Sequence, residues 1–396
     1  MKKKSPPLTI DKERAIGTVM ELLSVPGVSC EERDIARKIV QILTRHGVPR
    51  NAIRFDDAHR KSPHGGNVGN LIVKLPGTVR GPRRLLLAHM DTVPACRNAK
   101  PVRRGRAIVS ARKGTGTGAD DRSGCGALVV AAIEILAQKL PHPPVTLLFT
   151  IQEEIGLVGA RYVDARRLGS PKLAFNFDGG PPNCVEIGAT GGYYLEIDVK
   201  GIPSHAGGRP ERGVSAAMIA AAAMADLKKN GWFGLVMKHG VRGTSNIGTV
   251  HGGEATNVVM DHLHVTGECR SFSPSLRQRI ATAYRKAFER AARKLLSSEG
   301  KHGSIQFKRT KKYEAFKLPR GSPSVNEVIR VLHRLHMKPT LEYSNGGLDA
   351  NWLAEHGIYA ATVGAGTLGA HTVKEKLVLS QYIGGCKVAL GLATGL

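Results

Sequence analysis

A histidine and an aspartate directly follow a short apolar run and could act together on a metal ion. His89 ends the run Leu85–Ala88, and Asp91 comes two residues later. In an extended strand, residues i and i+2 lie on the same side. His89 could therefore bind a metal while Asp91 fixes its tautomer and raises its basicity. Because His-x-Asp triplets are common, this interpretation depends on the clusters that follow.

The glycine-rich segment 114–124 contains Asp120 and Asp121 ahead of an apolar run. Taken alone, it favours a structural explanation, in which Asp120 caps the N-terminus of a helix. The functional alternative is that the flexible backbone brings Asp120 close enough to bridge two metal ions. A phosphate-binding loop is not indicated, since no Gly-Lys-Ser/Thr sequence follows.

Two further apolar runs end in carboxylates, and a late glycine-rich loop contains a histidine. Glu153 and Glu154 follow the run 147–151, Asp178 follows Phe177, and His371 lies in the loop. Burying adjacent carboxylates without cations would be costly. The Glu-Glu pair is therefore either part of a surface loop or a metal ligand beside a general base.

Together these clusters supply two histidines, three carboxylates, a spare glutamate and a supporting aspartate. Nitrogen and oxygen donors without thiolate fit a two-zinc hydrolytic site better than a structural zinc. Paired metal ions lower the pKa of a shared water and polarise a carbonyl. A carboxylate within hydrogen-bond reach takes the proton of that water and returns it to the leaving amine.

The order of these motifs resembles that of the co-catalytic zinc exopeptidases, which include peptidase T, carboxypeptidase G, aminoacylase and succinyl-diaminopimelate desuccinylase. The resemblance covers nearly the whole chain. It implies hydrolysis of amide bonds in short peptides by a peptidase T-like tripeptide aminopeptidase or exopeptidase. It also implies two zinc ions per subunit, for which cobalt or manganese could substitute. The matching motifs are His-Met-Asp-Thr-Val from 89, Gly-Ala-Asp-Asp from 118, Glu-Glu-Ile-Gly from 153, Phe-Asp-Gly from 177, Ser-His-Ala-Gly from 204 and the late histidine.

The resemblance assigns five residues of this chain to the metal ions. It implies that His89 and Asp178 hold one zinc and that Glu154 and His371 hold the other. Asp120 would bridge the two ions.

The resemblance implies catalytic roles for three more residues. Glu153 would be the general base and later the acid, and Asp91 would orient a metal-binding histidine. His205 would help hold the substrate carbonyl and its oxyanion, often from the partner subunit. An imidazole donor is what a developing oxyanion requires, although a turn histidine remains the structural alternative for His205.

Two residues match substrate-binding positions of the family. Asn257 and Arg270 would contact polar or carboxylate groups of the substrate. A guanidinium suits a peptide C-terminal carboxylate by bidentate pairing, but a salt bridge at a sheet edge explains Arg270 equally well. The chain departs from the family at Leu348, where a substrate-side loop usually has threonine, and at Arg122, where lysine is usual.

The spacing of apolar residues predicts the elements that position these groups. Ser29 and Glu32 predict a capping box before a helix that ends at Gly47. Continuous apolar strands that alternate with helices indicate an α/β fold with a mixed, mostly parallel sheet flanked by helices. Ligands collect at the carboxyl ends of such strands. The predicted strands and helix are 71–75, 84–89, 145–150 and 173–177, with a helix at 123–139.

A smaller α+β domain is predicted to interrupt the larger one. Residues 193–200 alternate between apolar and polar types, as in a half-buried antiparallel strand. The predicted catalytic domain comprises 1–190 and 310–396, and the insert comprises 191–309. The resemblance implies that the insert closes over the substrate as a lid and joins two subunits into a homodimer. Further predicted elements of the insert are a helix at 214–229, strands at 246–250 and 262–270, and a helix at 274–297.

The chain has 396 residues and a net charge of +26, which raises the alternative of a non-catalytic, basic nucleic-acid-binding protein. The basic residues are scattered, without a stripe of interleaved aromatics, so we expect no nucleic-acid partner. A scaffold would also have no reason to retain Glu153. Within the same enzyme class, an N-acyl amino acid or other amide hydrolase remains the alternative, since its metal site would be the same.

The cysteines and the absence of long apolar segments bear on location. The six cysteines lie far apart without a Cys-x-x-Cys pair, which indicates free thiols in a reducing compartment. No stretch reaches the roughly 18 apolar residues of a membrane helix, and the N-terminus lacks an apolar signal segment. We therefore expect a cytoplasmic protein with no membrane partner.

Overall fold

The structure, a computed structural model, describes residues 8–395. This part of the chain divides into two compact units. The first unit comprises 8–188, Lys317–Ser344 and 348–395, and the second comprises Ala189–Phe316 and Asn345–Gly347.

Helices and strands alternate over most of the described chain. The helices are α1 Lys12–Leu23, α2 Arg33–Arg45, α3 Ala119–Ala137, α4 Val158–Tyr162, α5 Ala216–Lys229, α6 Pro274–Lys294, α7 Pro323–Arg334, α8 Asp349–Glu355 and α9 Leu379–Thr394. The strands are β1 Ile53–Phe55, β2 Leu71–Leu75, β3 Arg84–His89, β4 Pro101–Arg104, β5 Ala107–Ser110, β6 Val145–Thr150, β7 Leu173–Phe177, β8 Cys184–Ala189, β9 Gly191–Lys200, β10 Gly234–Lys238, β11 Val241–Gly252, β12 His262–Ser271, β13 Ser304–Tyr313, β14 Phe316–Lys317, β15 Thr340–Ser344, β16 Ala360–Val363, β17 Thr367–Leu368 and β18 Lys376–Val378.

The main sheet of the first unit confirms the predicted fold class. Its strand order is β1-β2-β6-β3-β7-β16-β8-β14, and β15 pairs with β8. The central pairs β6–β3, β3–β7 and β7–β16 are parallel, whereas β1–β2, β2–β6 and β16–β8 are antiparallel. All four strands predicted before residue 178 are confirmed at the predicted bounds.

Helices bury the central strands, which explains their continuous apolar sequences. Every residue of β3 and β6 is buried, as expected for strands of a sheet that is covered on both faces. α3 packs against α1, α9 and β3 and is itself buried along nearly its whole length. The sheet and α3 therefore form a rigid frame for the loops that follow the strands.

The predicted capping box at Ser29 and Glu32 is wrong, although the helix that it should begin is present. α2 starts at Arg33 without a side-chain cap. The Ser29 hydroxyl instead donates to Asp91 Oδ2 at 2.6 Å. Oε1 of Glu32 accepts from the backbone N–H groups of Cys30 and Gln152 at 2.9 and 3.1 Å. These side chains were available to cap the helix, but buried long-range partners hold them.

The second unit is built on an antiparallel sheet with the order β10-β11-β12-β9-β13. The amphipathic pattern of α6 is confirmed, because Leu276, Ile280, Tyr284 and Phe288 are all buried. β13 pairs along β9 as far as Tyr313. The predicted domain boundary at 309 therefore falls inside a strand of this sheet.

Two structural features relate to the predicted cytoplasmic location: the state of the cysteines and the length and polarity of the helices. All six cysteines are free thiols, as predicted. Within residues 8–395, every helix is too short or too polar to cross a lipid bilayer. The cytoplasmic location stays a prediction.

Candidate active site

Three parallel strands of the first unit end beside one another at the predicted site. β3 ends at His89, β6 is followed by Glu153 and Glu154, and β7 is followed by Asp178. β3 lies between β6 and β7 in parallel register. The polar groups that follow these strands therefore lie at the same edge of the sheet, where ligands of α/β folds collect.

His89 is held between two carboxylates. Its Nδ1 lies 3.0 Å from the backbone oxygen of Asp91 and 3.5 Å from Asp91 Oδ1. Its Nε2 lies 3.3 Å from Asp120 Oδ1. Burial opposes protonation of the imidazole, but the contacts with Asp120 and Asp91 prevail and raise the pKa of His89 well above its ordinary value. Nε2 is thus directed toward Asp120, while Nδ1 is fixed by the backbone.

Asp91 also holds the Glu-Glu segment in place. Its Oδ1 accepts from the backbone N–H of Glu153 at 2.9 Å, and its Oδ2 accepts from that of Glu154 at 3.2 Å. The Ser29 hydroxyl completes the set of donors. Although burial opposes ionisation, contact with His89 and these hydrogen bonds lower the pKa of Asp91. Asp91 therefore orients the strand-end histidine through its backbone oxygen and the nearby carboxylate, and holds the adjacent glutamates through the carboxylate alone.

The two aspartates at the start of α3 have different roles. Neither has helical backbone angles, and the peptide bond between them is cis. Asp121 Oδ1 accepts from Gly124 N at 3.0 Å, and Asp121 Oδ2 accepts from His89 N at 3.2 Å. The N-cap role considered for Asp120 therefore belongs to Asp121. The Asp120 side chain is directed toward His89 and His371 instead.

The C-terminal loop brings His371 to the same group of carboxylates. His371 Nε2 lies 2.9 Å from Glu154 Oε2 and 3.4 Å from Asp120 Oδ2. The contacts with Asp120 and Glu154 raise the pKa of His371 to about 10. Asp120 thus lies between two imidazoles that come from segments about 280 residues apart.

The donor set fits metal ions. Ligand atoms of His89, Asp120 and Glu154 lie within 4.8 Å of one another, and so do those of Asp120, Asp121 and Asp178. Buried Asp120 Oδ1 and Glu154 Oε1 accept no hydrogen bond from any residue between 8 and 395. Burial raises the pKa values of Asp121 and Asp178 well above the ordinary value, and neighbouring carboxylates add to that effect. Such a cluster needs cations to remain ionised.

Glu153 lies at the edge of this cluster and takes no part in either group of candidate ligands. Burial raises its pKa well above the ordinary value; the carboxylates of Asp178 and Asp349 add to this shift, whereas His89 opposes it. Its backbone is fixed by Asp91. Glu153 is therefore a constrained carboxylate beside the candidate metal ligands, as a general base must be.

The family model "Peptidase family M20/M25/M40" matches residues 85–394, which include Glu153 and all of the candidate metal ligands. The chain belongs to this family. It is therefore a metallopeptidase and a hydrolase, and the resemblance inferred from the motif order is confirmed. Family membership also favours an enzyme over the alternative of a non-catalytic basic binder.

Two solved structures and one curated protein of similar sequence cover nearly the whole chain. Aminopeptidase PepT from Bacillus cereus is 30% identical with a TM-score of 0.81, covering 97% of this chain and 98% of that one. A tripeptidase from Staphylococcus aureus is 26% identical with a TM-score of 0.85, covering 97% and 99%. Uncharacterized protein YqjE from Bacillus subtilis is 28% identical over 94% of this chain and 96% of its own length. Carboxypeptidase G2 from Pseudomonas sp. is 30% identical, but over only 35% of its length.

In the second unit, two of the predicted residues lie on neighbouring loops. His205 forms an isolated bridge with Val258, and Ala206 N donates to Asn257 O at 2.9 Å. His205 Nδ1 accepts from the backbone N–H groups of Gly207 and Gly208 at 3.1 and 3.0 Å. These two bonds select the tautomer whose proton is on Nε2. His205 is thus arranged as a hydrogen-bond donor.

The third predicted residue of the second unit forms an ion pair. Arg270 donates through Nε and Nη2 to the two carboxylate oxygens of Glu268 at 2.8 and 3.0 Å. Lys312 Nζ contacts the same carboxylate at 3.0 Å. The salt bridge that the sequence left open is therefore present, but on β12, which lies between β11 and β9 and not at the edge of the sheet. Glu268 holds the guanidinium in a defined orientation.

Arg122 and Leu348, the two residues that depart from the family pattern, are both buried in the first unit. Arg122 donates to Gly27 O at 3.1 Å, and burial lowers its pKa to about 10. Asp349, which follows Leu348, accepts a hydrogen bond from Thr150. Burial raises the pKa of Asp349 to about 6. Neither Arg122 nor Asp349 belongs to a group of candidate metal ligands.

Sequence reasoning missed three residues that shape the site. Asp121 was available as a second carboxylate beside Asp120, and the Asp-Asp pair itself was the signal. Ser29 and Glu32 were interpreted as a helix cap, yet they support Asp91 and the residue before Glu153. Nothing in the local sequence distinguishes a serine that caps a helix from one that reaches a residue 62 positions away.

Proposed function

We propose that the protein is a zinc-dependent exopeptidase that removes residues from short peptides, as a peptidase T-like tripeptide aminopeptidase. The observation that carries this proposal is the convergence of His89, Asp120, Glu154 and His371, with Glu153 beside them. Similarity to a PepT aminopeptidase and to a tripeptidase over nearly the full length supports the substrate class.

The proposed metal sites add Asp178 to these residues, which lies near Asp120 and Asp121. His89 and Asp178 would hold one zinc, Glu154 and His371 would hold the other, and Asp120 would serve both. When bound, the ions supply the positive charge that polarises a peptide carbonyl and lowers the pKa of water. The buried Oε1 of Glu154, which accepts no hydrogen bond from residues 8–395, supports this assignment, because a buried acceptor without a donor is costly unless a cation contacts it.

Glu153 moves the proton in the proposed reaction. Its carboxylate receives a proton from the attacking water and delivers it to the nitrogen of the departing amino group. Asp91 holds the backbone of Glu153 in place before substrate arrives, which reduces the conformational freedom that the base must lose in the reaction. General acid-base catalysis of this kind contributes about 10²- to 10⁴-fold to rate.

The second unit would bind the substrate. We propose that His205 donates from Nε2 to the carbonyl oxygen that becomes negatively charged. Its backbone-fixed Nδ1 supports this role. Asn257, on the neighbouring loop, and Arg270, oriented by Glu268, would contact polar or carboxylate groups of the peptide.

Removal of metal tests the proposal directly. We expect protein treated with a chelator to lose hydrolysis of tripeptides, and to recover it when zinc is added to about two equivalents per chain. A panel of tripeptides, dipeptides, peptides blocked at either terminus and N-acyl amino acids is followed by mass spectrometry. Cleavage that needs a free amino terminus supports the proposal.

The same panel separates the alternatives. Turnover of N-acyl amino acids in preference to peptides would replace the proposed substrate with that of an amide hydrolase that has the same metal site. Release of the C-terminal residue would indicate a carboxypeptidase. Full activity after complete metal removal would refute the proposal.

We also propose a homodimer formed through the second unit. β10 is an edge strand of its sheet. Leu235 and Met237 alternate with buried Val236 and are 60% and 53% exposed. An exposed edge strand with large apolar side chains favours pairing with another strand, and a second copy of β10 supplies a self-complementary one.

The dimer prediction is tested by light scattering after size-exclusion chromatography. We expect the wild type to have twice the chain mass and the double variant Leu235→Glu, Met237→Glu to be monomeric. Leu296→Glu is the control, because Leu296 is 59% exposed and lies outside the sheet. A monomeric wild type, or a double variant that remains dimeric, would contradict an interface at β10.

A further inference from the structure

Glu375 is a buried carboxylate to which nothing above assigns a role. It is 3% exposed and lies four residues after His371 in the C-terminal loop. Its Oε1 accepts from Asp120 N at 2.9 Å, and its Oε2 accepts from Gly118 N at 2.6 Å. The Cys96 thiol donates to Oε2 at 3.2 Å. The carboxylate is therefore surrounded by donors that belong to the segment containing Asp120 and to the loop before it.

The backbone of Glu375 strengthens the same connection. Thr117 Oγ1 donates to Glu375 O at 2.6 Å, and Glu375 N donates to Thr372 O at 3.1 Å. Gly116 passes so close that a Cβ there would lie 2.9 Å from Glu375 Oε2 and 2.9 Å from Thr372 O. Segments 116–120 and 371–375 thus contact each other through backbone and side chain together.

These contacts join the two segments that bring Asp120 and His371 to within 3.4 Å. Gly118 has a φ of +75° and His371 a φ of +64°, so both segments include residues in the left-handed region. Such backbone does not hold its shape through regular helix or strand hydrogen bonds. Charge-assisted hydrogen bonds that a buried carboxylate accepts from backbone N–H groups supply that restraint.

We propose that Glu375 is a positioning residue that sets the spacing of Asp120 and His371 and thereby the affinity of the metal centre. This inference rests on the proposed metal site, and it adds a residue that is not itself a ligand. Residues that orient ligands in this way typically contribute about 10- to 100-fold to metal affinity.

The test compares Glu375→Gln with Glu134→Gln. A glutamine at 375 removes the charge and directs an amide N–H₂ against N–H or S–H donors. Glu134 is an equally buried glutamate that accepts from Asp11 N at 2.9 Å and pairs with Arg14. The control therefore also removes a buried carboxylate that accepts from a backbone N–H, at a place with no metal ligand.

Three measurements distinguish positioning from stability. Zinc affinity is measured by competition with a chromogenic chelator, the metal geometry by the visible absorption of cobalt-loaded protein, and stability by the Tm of the metal-free chain. We expect Glu375→Gln to weaken zinc binding about 10- to 100-fold and to alter the cobalt spectrum. Glu134→Gln should lower the Tm while leaving zinc affinity and the spectrum unchanged.

A second variant tests the same proposal if Glu375→Gln does not fold. Thr117→Val keeps the volume of a buried side chain but removes the hydrogen bond to Glu375 O. We expect zinc affinity to fall about fivefold, as for loss of one neutral hydrogen bond. Wild-type affinity and spectrum in whichever variants fold would overturn the role of Glu375. Failure of the wild type to bind zinc would instead refute the proposed function.

Discussion

Replacement of Glu153 by glutamine is expected to lower kcat for peptide hydrolysis by about 10²- to 10⁴-fold, the usual contribution of a general base. This loss corresponds to about 3–5 kcal/mol of transition-state stabilisation. Glutamine keeps the size of the side chain and the backbone hydrogen bond to Asp91. It removes only the ability to accept and return a proton, so KM for the peptide should change little.

The prediction requires that metal binding and folding survive the change. Glu153 is outside both groups of candidate ligands, so zinc content should equal that of the wild type. Glu134→Gln serves as the control, since it removes a buried carboxylate whose partners are Arg14, Gln138 and the backbone of Asp11. That variant should lose stability and keep kcat.

Two outcomes would count against the assignment of Glu153. Wild-type kcat in Glu153→Gln, checked also in Glu153→Ala, would exclude this carboxylate as the base. A loss of zinc in proportion to the loss of activity would show that Glu153 holds a metal ion. The kcat, KM and bound zinc of each variant are therefore measured on the same preparation.

Much of the fold could be predicted because strong local patterns coincide with the buried elements. The run that ends at His89 and the run before Glu153 are continuous and apolar, and both are fully buried central strands. Parallel strands at the centre of a sheet end at the same edge, so the polar residues that follow them were expected to lie close together. The order of the motifs then predicted the candidate site residues, because it indicated a family and not only a fold.

Long-range hydrogen bonds could not be predicted in the same way. Ser29 and Glu32 have the spacing of a capping box, but they support Asp91 and Gln152 across 62 and 120 residues of chain. A local cap is worth about 1 kcal/mol. A buried carboxylate that lacks donors is costlier than that, so the tertiary partner prevails over the local one.

The different roles of the two carboxylates at the start of α3 could not be predicted from the sequence. Asp120 and Asp121 are adjacent and identical in type, yet one is directed to two imidazoles and the other caps the helix. The distinction depends on backbone angles within the glycine-rich turn. The hydrogen bond from Asp120 N to Glu375 could not be predicted either, because these two residues are 255 positions apart in the sequence.

Replacement of Asp120 by asparagine should have the largest effect on the metal centre. Asp120 is the one residue present in both groups of candidate ligands within residues 8–395. Its oxygens lie 3.3 Å from His89 Nε2 and 3.4 Å from His371 Nε2. If it is shared by two ions, its loss weakens both, whereas the loss of Asp178 weakens only one.

Zinc titration of the two variants separates a shared ligand from an unshared one. We expect Asp120→Asn to bind both equivalents at least about 100-fold more weakly, beyond what loss of a supporting contact costs, and to lose peptide hydrolysis. Asp178→Asn should retain one equivalent near wild-type affinity. Asp56→Asn is the control, because the donors to that buried carboxylate among residues 8–395 belong to Ala58 and Asn70.

The comparison between the variants decides the architecture of the centre, because each arrangement gives a different pattern. A shared aspartate predicts loss of both equivalents in Asp120→Asn and of one in Asp178→Asn. If Asp120 binds a single ion, Asp120→Asn and Asp178→Asn should each lose one equivalent of zinc. The control should lower the Tm and leave both equivalents in place, since its hydrogen bonds stabilise the fold without facing a histidine. Equal zinc loss in the two site variants would therefore end the assignment of Asp120 as the bridge, even if both were inactive.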